Sequence, residues 1–192
     1  TLLSAALAHA PVHETLDRLD VSVPDQARRA AHLHLHQGQA AQALAVLHAS
    51  DTSIDAELMR AEAAVVLQHD DARSRLDHLV ATAPSTEQAR ALDLRAGLHA
   101  DPVDTWNDLA HAILVEPTPG RALSAAAHAP NAPGALAVLA HARAELGASV
   151  SLDHALALAW VKVGEPDAAL AVLSGPTGQS AEGRLLQALA HE

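Results

Sequence analysis

The chain has 192 residues, no cysteine and a formal charge of −11 with histidine neutral. That acidity disfavours direct binding to nucleic acid or to an anionic membrane surface, since each phosphate contact needs a Lys or Arg, and the missing cysteine excludes disulfides and thiolate metal sites. Forty-six Ala and thirty Leu, with Phe and Tyr absent and Trp106 and Trp160 as the only aromatic residues, exclude the usual β-sheet compositions and point to helices packed closely enough for alanine to fill the contacts.

In chain order, Leu2–His9 and Pro11–Leu19 read as a short first helix pair, followed by a connector at 21–24. Pro24–His36 carries Ala27, Ala30, Ala31 and Leu35 at helical spacing, Gly38 breaks it, and Ala40–Ala49 follows with Ala43, Leu44 and Leu47 on one face. The third pair is Ile54–Gln68 and Asp71–Ala83. Ser85-Thr86-Glu87-Gln88 has the pattern of a capping box and opens a helix to His99. Asp101-Pro102 and Thr118-Pro119 each pair a cap residue with a first-turn proline, so helices start there, the first running to Val115 and the second to His128. A turn cluster at 129–134 precedes a helix over Ala135–Leu146. The sixth pair is Leu152–Val163 and Pro166–Leu173, joined by Gly164-Glu165, and Ser180–Ala190 reads as a capping helix with a wet outer face.

The turns at Gly38, His69, Ala100, Pro130 and Gly164 are separated by 31, 31, 30 and 34 residues. A fixed period in that range is the signature of stacked repeats. The expectation is an all-α right-handed α-solenoid of about six antiparallel helix pairs plus a C-terminal cap, forming one domain over residues 1–192. No apolar run is long enough to cross a bilayer. The chain opens at Thr1 without a basic-then-apolar leader, which reads as a trimmed product or a fragment of a longer protein, and a cytoplasmic location is expected.

The segment from Leu156 to Leu173 carries Ala157, Trp160, Gly164-Glu165 and Ala169 at a small-aromatic-turn-small spacing. It resembles a tetratricopeptide repeat. Gly38, Ala43 and Leu47 match in the second pair with His34 at the aromatic position, and Ala112 with Pro117 matches the close of a repeat in the fourth. In that family the first helices of successive repeats line a concave groove. The resemblance therefore places Arg28, His32, His36, Met59, Arg90, Leu94, His154 and Lys162 on a binding face. It implies a noncatalytic scaffold for a protein or peptide partner, an acidic segment suiting the basic residues on that face. The alternative expectation is a C-terminal regulatory or sensor domain of a larger transcription regulator or signalling protein.

Fourteen histidines are the main candidates for other chemistry. His32 and His36 stand four residues apart on one helix face, as two ligands of a divalent metal could, while His34 points away. No HExxH pattern and no carboxylate one turn away on that face accompany them, so no metal, cofactor or enzymatic activity is expected. Protonating all fourteen would carry the formal charge to about +3 within a mildly acidic range. Trp160 reads as a core residue. Trp106, set among Asp104, Asn107 and Asp108, reads as a partly exposed candidate anchor.

Overall fold

A computed structural model describes Leu16 and residues 18–191 of the chain. The expected first helix pair lies almost entirely outside those residues. The described residues form eleven α-helices and one short 3-10 turn, with no strand among them. They are α1 Pro24–His36, α2 Ala40–Val46, α3 Ile54–Val66, α4 Ala72–Thr82, α5 Ser85–Ala96, α6 Pro102–Val115, α7 Pro119–His128, α8 Ala132–Leu146, α9 Val150–Val163, α10 Pro166–Val172, the 3-10 turn Pro176–Gln179 and α11 Ala181–Ala190. No helix is long and apolar enough to cross a membrane.

The helices divide into two compact units, the first ending at Glu87 and the second beginning at Gln88. In the first unit α1, α2, α3 and α4 pack consecutively, and α1 also touches α3. Ala31, Ala43, Leu47 and Ala56 form a buried cluster, with Leu35, Val46 and Met59 packed against it. In the second unit each helix from α6 to α11 packs on the next, and α7–α9 and α9–α11 also touch. One core there joins Ala96, Leu109, Ile113, Leu139, Leu152 and Leu156 with the alanines between them. Another joins Ala157, Ala169, Leu173, Leu186 and Ala190, with Trp160 between the two.

Three of the expected turns share one hydrogen-bond pattern. Gly38, Gln68 and Gly164 have positive φ (71°, 57° and 86°). The next residue in each case donates back five positions: Gln39 N to His34 O at 2.8 Å, His69 N to Ala64 O at 2.9 Å and Glu165 N to Trp160 O at 3.0 Å. This is the left-handed closure that satisfies the last carbonyls of a helix. It makes His34, Ala64 and Trp160 equivalent positions, as the sequence pattern required of His34 and Trp160. Five residues after the left-handed residue stand Ala43 and Ala169, both fully buried. The third unit of the pattern has exposed Arg73 there and buries Ala72 instead, so its second helix is turned by one position.

Helix starts follow the cap chemistry. Asp101 accepts from Val103 N at 2.8 Å, Thr118 from Arg121 N at 3.2 Å, and Ser180 from Gly183 N at 2.9 Å. Several boundaries differ from the sequence reading. Asn131 caps α8 through Gly134 N at 2.8 Å, so the helix begins at Ala132 rather than Ala135. Pro133 sits in its first turn, where a missing N–H costs nothing. Ser85 is the first residue of α5 rather than its cap, α5 stops at Ala96 and α2 at Val46. The capping helix also differs: only Leu186 of its three leucines is buried, and Leu185 and Leu189 are exposed. Its exposed face therefore carries these two leucines beside Glu182 and Arg184. Gln187 is half-buried and donates to Leu173 O at 3.1 Å. A Cβ on Gly178 or Gly183 would overlap the backbone of Leu173 or Thr177, so these glycines let α11 seat on the 3-10 turn.

Two stability changes follow from these contacts. Ala169→Leu should overpack the α9–α10 contact and lower stability by about 1–3 kcal/mol, whereas Ala188→Leu on the exposed face of α11 should not; thermal melts of the two variants decide it. Gln68 adopts a left-handed conformation that L side chains resist, so Gln68→Gly should raise stability by up to about 1 kcal/mol after the entropy of glycine is subtracted, read as an upward shift of the urea midpoint at unchanged slope.

Candidate functional site

The alternate helices α7 and α9 touch, as do α9 and α11. Two adjoining cavities of about 380 Å³ and about 600 Å³ share Leu123 of α7 and Ala155 and Leu158 of α9. The smaller is closed by Ala126, Ala127, the start of α8 and Lys162. The larger is closed by Val150, Ser151, His154, Glu182 and Leu186. Together they make one groove along α9. His154, Leu158 and Lys162 succeed one another at four-residue intervals on that helix, which puts them on one face. Leu158 is 39% exposed and Val150 54% exposed. The polar side chains on it are Asn131, which holds Gly134 N, and Ser151, His154, Lys162 and Glu182.

His154 closes one end. It is buried, with Nε2 3.1 Å from Thr177 O and 3.1 Å from Ser180 Oγ, and Nδ1 3.1 Å from Glu182 Oε2. A hydroxyl, an imidazole and a carboxylate in that order are the parts of an activated nucleophile. Here Ser180 Oγ accepts the Gly183 N–H as the cap of α11 and sits 3.0 Å from Thr177 O. Its lone pair and its proton are both engaged in holding the helix start, so the cluster works as a tie from α9 to the 3-10 turn and α11. Lys162 closes the other end, exposed in the last turn of α9, where a cation meets the negative end of the helix dipole.

The structure thus brings His154 and Lys162 onto one groove and shows that Leu158, between them, belongs with them. The sequence reading passed over Leu158, Leu123 and Ala155. The four-residue step from His154 to Lys162 was the signal that could have found Leu158. In the first unit the expected residues of α1 are engaged with neighbours. Arg28 pairs with Asp25, lies 2.5 Å from Asp51 Oδ2 and 3.3 Å from Ser53 Oγ. The rings of His32 and His36 meet edge to face with centroids 4.4 Å apart, and His34 turns to Gln39 Oε1 at 2.8 Å. No group of three or more candidate metal ligands gathers among the described residues. Met59 packs against the alanine cluster of α1, α2 and α3. In the second unit Arg90 and Leu94 are half-buried on α5. Trp106 is half-buried as expected and borders a cavity of about 240 Å³ with Ile113, Leu114 and Val138. Its Nε1 is buried without a hydrogen-bond partner.

Partly buried ion pairs flank this architecture. Asp108 accepts from Arg95 at 2.7 and 2.8 Å and lies 2.8 Å from His99 Nε2. Burial pushes the Asp108 carboxyl up, but the bonds from Arg95 and His99 outweigh it and hold its pKa below the ordinary value. Arg121 lies 2.7 Å from Asp93 and 2.6 Å from Glu116, and Arg143 lies 2.6 Å from Asp153. In the first unit the Ser53 hydroxyl and N–H, with Arg28, lower the Asp51 carboxyl to about 2.

The chain matches no protein-family model, no curated protein and no solved structure.

The lowered carboxylates set a pH dependence. A carboxylate with a depressed folded pKa stabilises the fold above its unfolded pKa of 3.8 and loses that contribution as pH falls through the folded value. Stability should therefore fall between about pH 4 and pH 2. Asp51→Asn should be less stable than the parent at neutral pH and should flatten the acid limb, as measured by urea unfolding across that range. Equal acid limbs in the two proteins would show that Asp51 is not the group that titrates.

Proposed function

We propose that this chain is a noncatalytic binding scaffold of the tetratricopeptide-like kind, its helix pairs stacked as a right-handed array, and that it holds a segment of a partner protein in the groove formed by α7, α9 and α11. The observation that carries the reading is the groove itself. Two cavities run together along the exposed face of α9, and Leu158 and Val150 stand open to solvent there. Alternate helices of a repeat array present such a face repeatedly, and stacked helical repeats use it for binding. The shared left-handed turns at Gly38, Gln68 and Gly164 and the buried Ala43 and Ala169 support the repeat assignment. The engagement of Ser180 as a helix cap supports a role without chemistry at His154.

The experiment is capture from a lysate with the intact chain and with two surface variants. Leu158→Asp should abolish capture of the specific partner, while Leu114→Asp, on an exposed site of α6 away from the groove, should leave it unchanged. A partner retained by Leu158→Asp would show that binding uses another surface.

A further inference from the structure

Resting on the groove as the binding site, we infer that its occupant is an amphipathic α-helix of a partner protein rather than an extended peptide, with large apolar side chains on the buried face, an acidic residue beside Lys162 and a basic residue beside Glu182. Three features of the groove carry this.

The first is hydrogen bonding. Along its middle, at Ala155, Leu158 and Ala159, the wall is the interior of α9, whose main-chain donors and acceptors are consumed within the helix. Between His154 and Lys162 the surface is Ala126, Ala155, Leu158, Ala159 and their neighbours. An extended segment laid there would bury its own N–H and C=O groups without partners, a cost of about 1–3 kcal/mol for each group fully desolvated. A helix satisfies its backbone by itself and meets the wall with side chains alone.

The second is shape. Ala126, Ala155 and Ala159 lie among Leu123, Leu139 and Leu158 on the lining, and the bulk that fills the space left by the alanines must come from the occupant. Leucine- or phenylalanine-sized side chains at i, i+4 and i+7 supply it. Along α9 the groove runs from Val150 to Lys162, roughly 18 Å at 1.5 Å per residue, the length of about twelve residues of a facing helix.

The third is charge. Lys162, the only lysine of the chain, stands at one end, and Glu182, 73% exposed at its side chain, stands at the other. The two ends therefore select opposite charges at the two ends of the occupant.

The test uses a panel of hydrocarbon-stapled helices of about twelve residues, with Leu or Phe at the facing positions, Glu at one end and Arg at the other. The same sequences, unstapled and carrying a central proline, serve as extended counterparts, and fluorescence anisotropy reads the affinity. Stapled members should bind and their counterparts should not. Leu158→Asp should weaken binding about tenfold or more, since it removes a buried leucine contact. Ala127→Glu, at an exposed position on the same wall, should act in the same direction if Leu158→Asp disturbs the fold. Lys162→Glu should weaken binding about two- to fivefold, the scale of an exposed ion pair, and a peptide with Lys in place of its Glu should recover the loss. Failure of every stapled member to bind, equal binding of the extended counterparts, or indifference to both wall variants overturns the inference. If extended peptides bind more tightly and are lost in Leu158→Asp, the helical occupant is wrong while the groove stands as the site. If lysate capture is itself indifferent to Leu158→Asp, the groove fails as well.

Discussion

Alanine at the helix contacts is the constraint on which the rest of the structure depends. With no Phe or Tyr and only two Trp, the buried contacts between helices are filled chiefly by alanine and leucine. Ala31, Ala43, Ala61, Ala89, Ala112, Ala125, Ala142 and Ala157 are all fully buried. Each contributes little apolar area, at about 0.8 kcal/mol per buried carbon, so cohesion rests on many small contacts and on the few leucines that fill the gaps. Added bulk at such fully buried positions overpacks the contact.

A thin apolar core gives polar clamps more weight. Arg95 with Asp108, Arg121 with Asp93 and Glu116, and Arg143 with Asp153 each join separate helices or a helix and its preceding turn. Burying an ion pair costs desolvation, and the geometry has to repay it. In these pairs the bonds are short and charge-assisted. Once formed, a clamp also punishes loss of one partner, because the other is left charged and buried. The clamps thus fix which helices are neighbours, while the alanines fix how near they come.

The groove is a consequence of the same economy. Between α7 and α9, Ala126, Ala155 and Ala159 line the opening with side chains too short to fill it. A surface built from leucine and phenylalanine would have filled it. The chain leaves it open and sets a charged residue at either end, Lys162 and Glu182. The His154 tie to Thr177, Ser180 and Glu182 holds one wall of the opening in place, so the histidine that the repeat pattern put on the binding face does structural work there.

Much of the fold was legible in the sequence because helix periodicity, caps and left-handed turns are local. Asp101-Pro102, Thr118-Pro119, Gly38 and Gly164 act through bonds that span a few residues, and they hold in the structure as read. The Asn131 cap shows the limit: Pro133-Gly134 looked like a turn, and a single side-chain bond to Gly134 N turned it into the first turn of α8. The candidate site was legible only in part. The resemblance to a tetratricopeptide repeat implied that His154 and Lys162 share one face, but whether a cation is held by a carboxylate depends on residues distant in sequence, as Arg28 with Asp51 shows. By itself the sequence determined that the chain is helical, where its helices turn and which alanines face inward, since those properties follow from spacing and local bonds. Only the tertiary structure decided that Leu158 lines an open groove, that Leu185 faces solvent and that Gln187 does not, because exposure is settled by what packs against a residue from elsewhere in the chain.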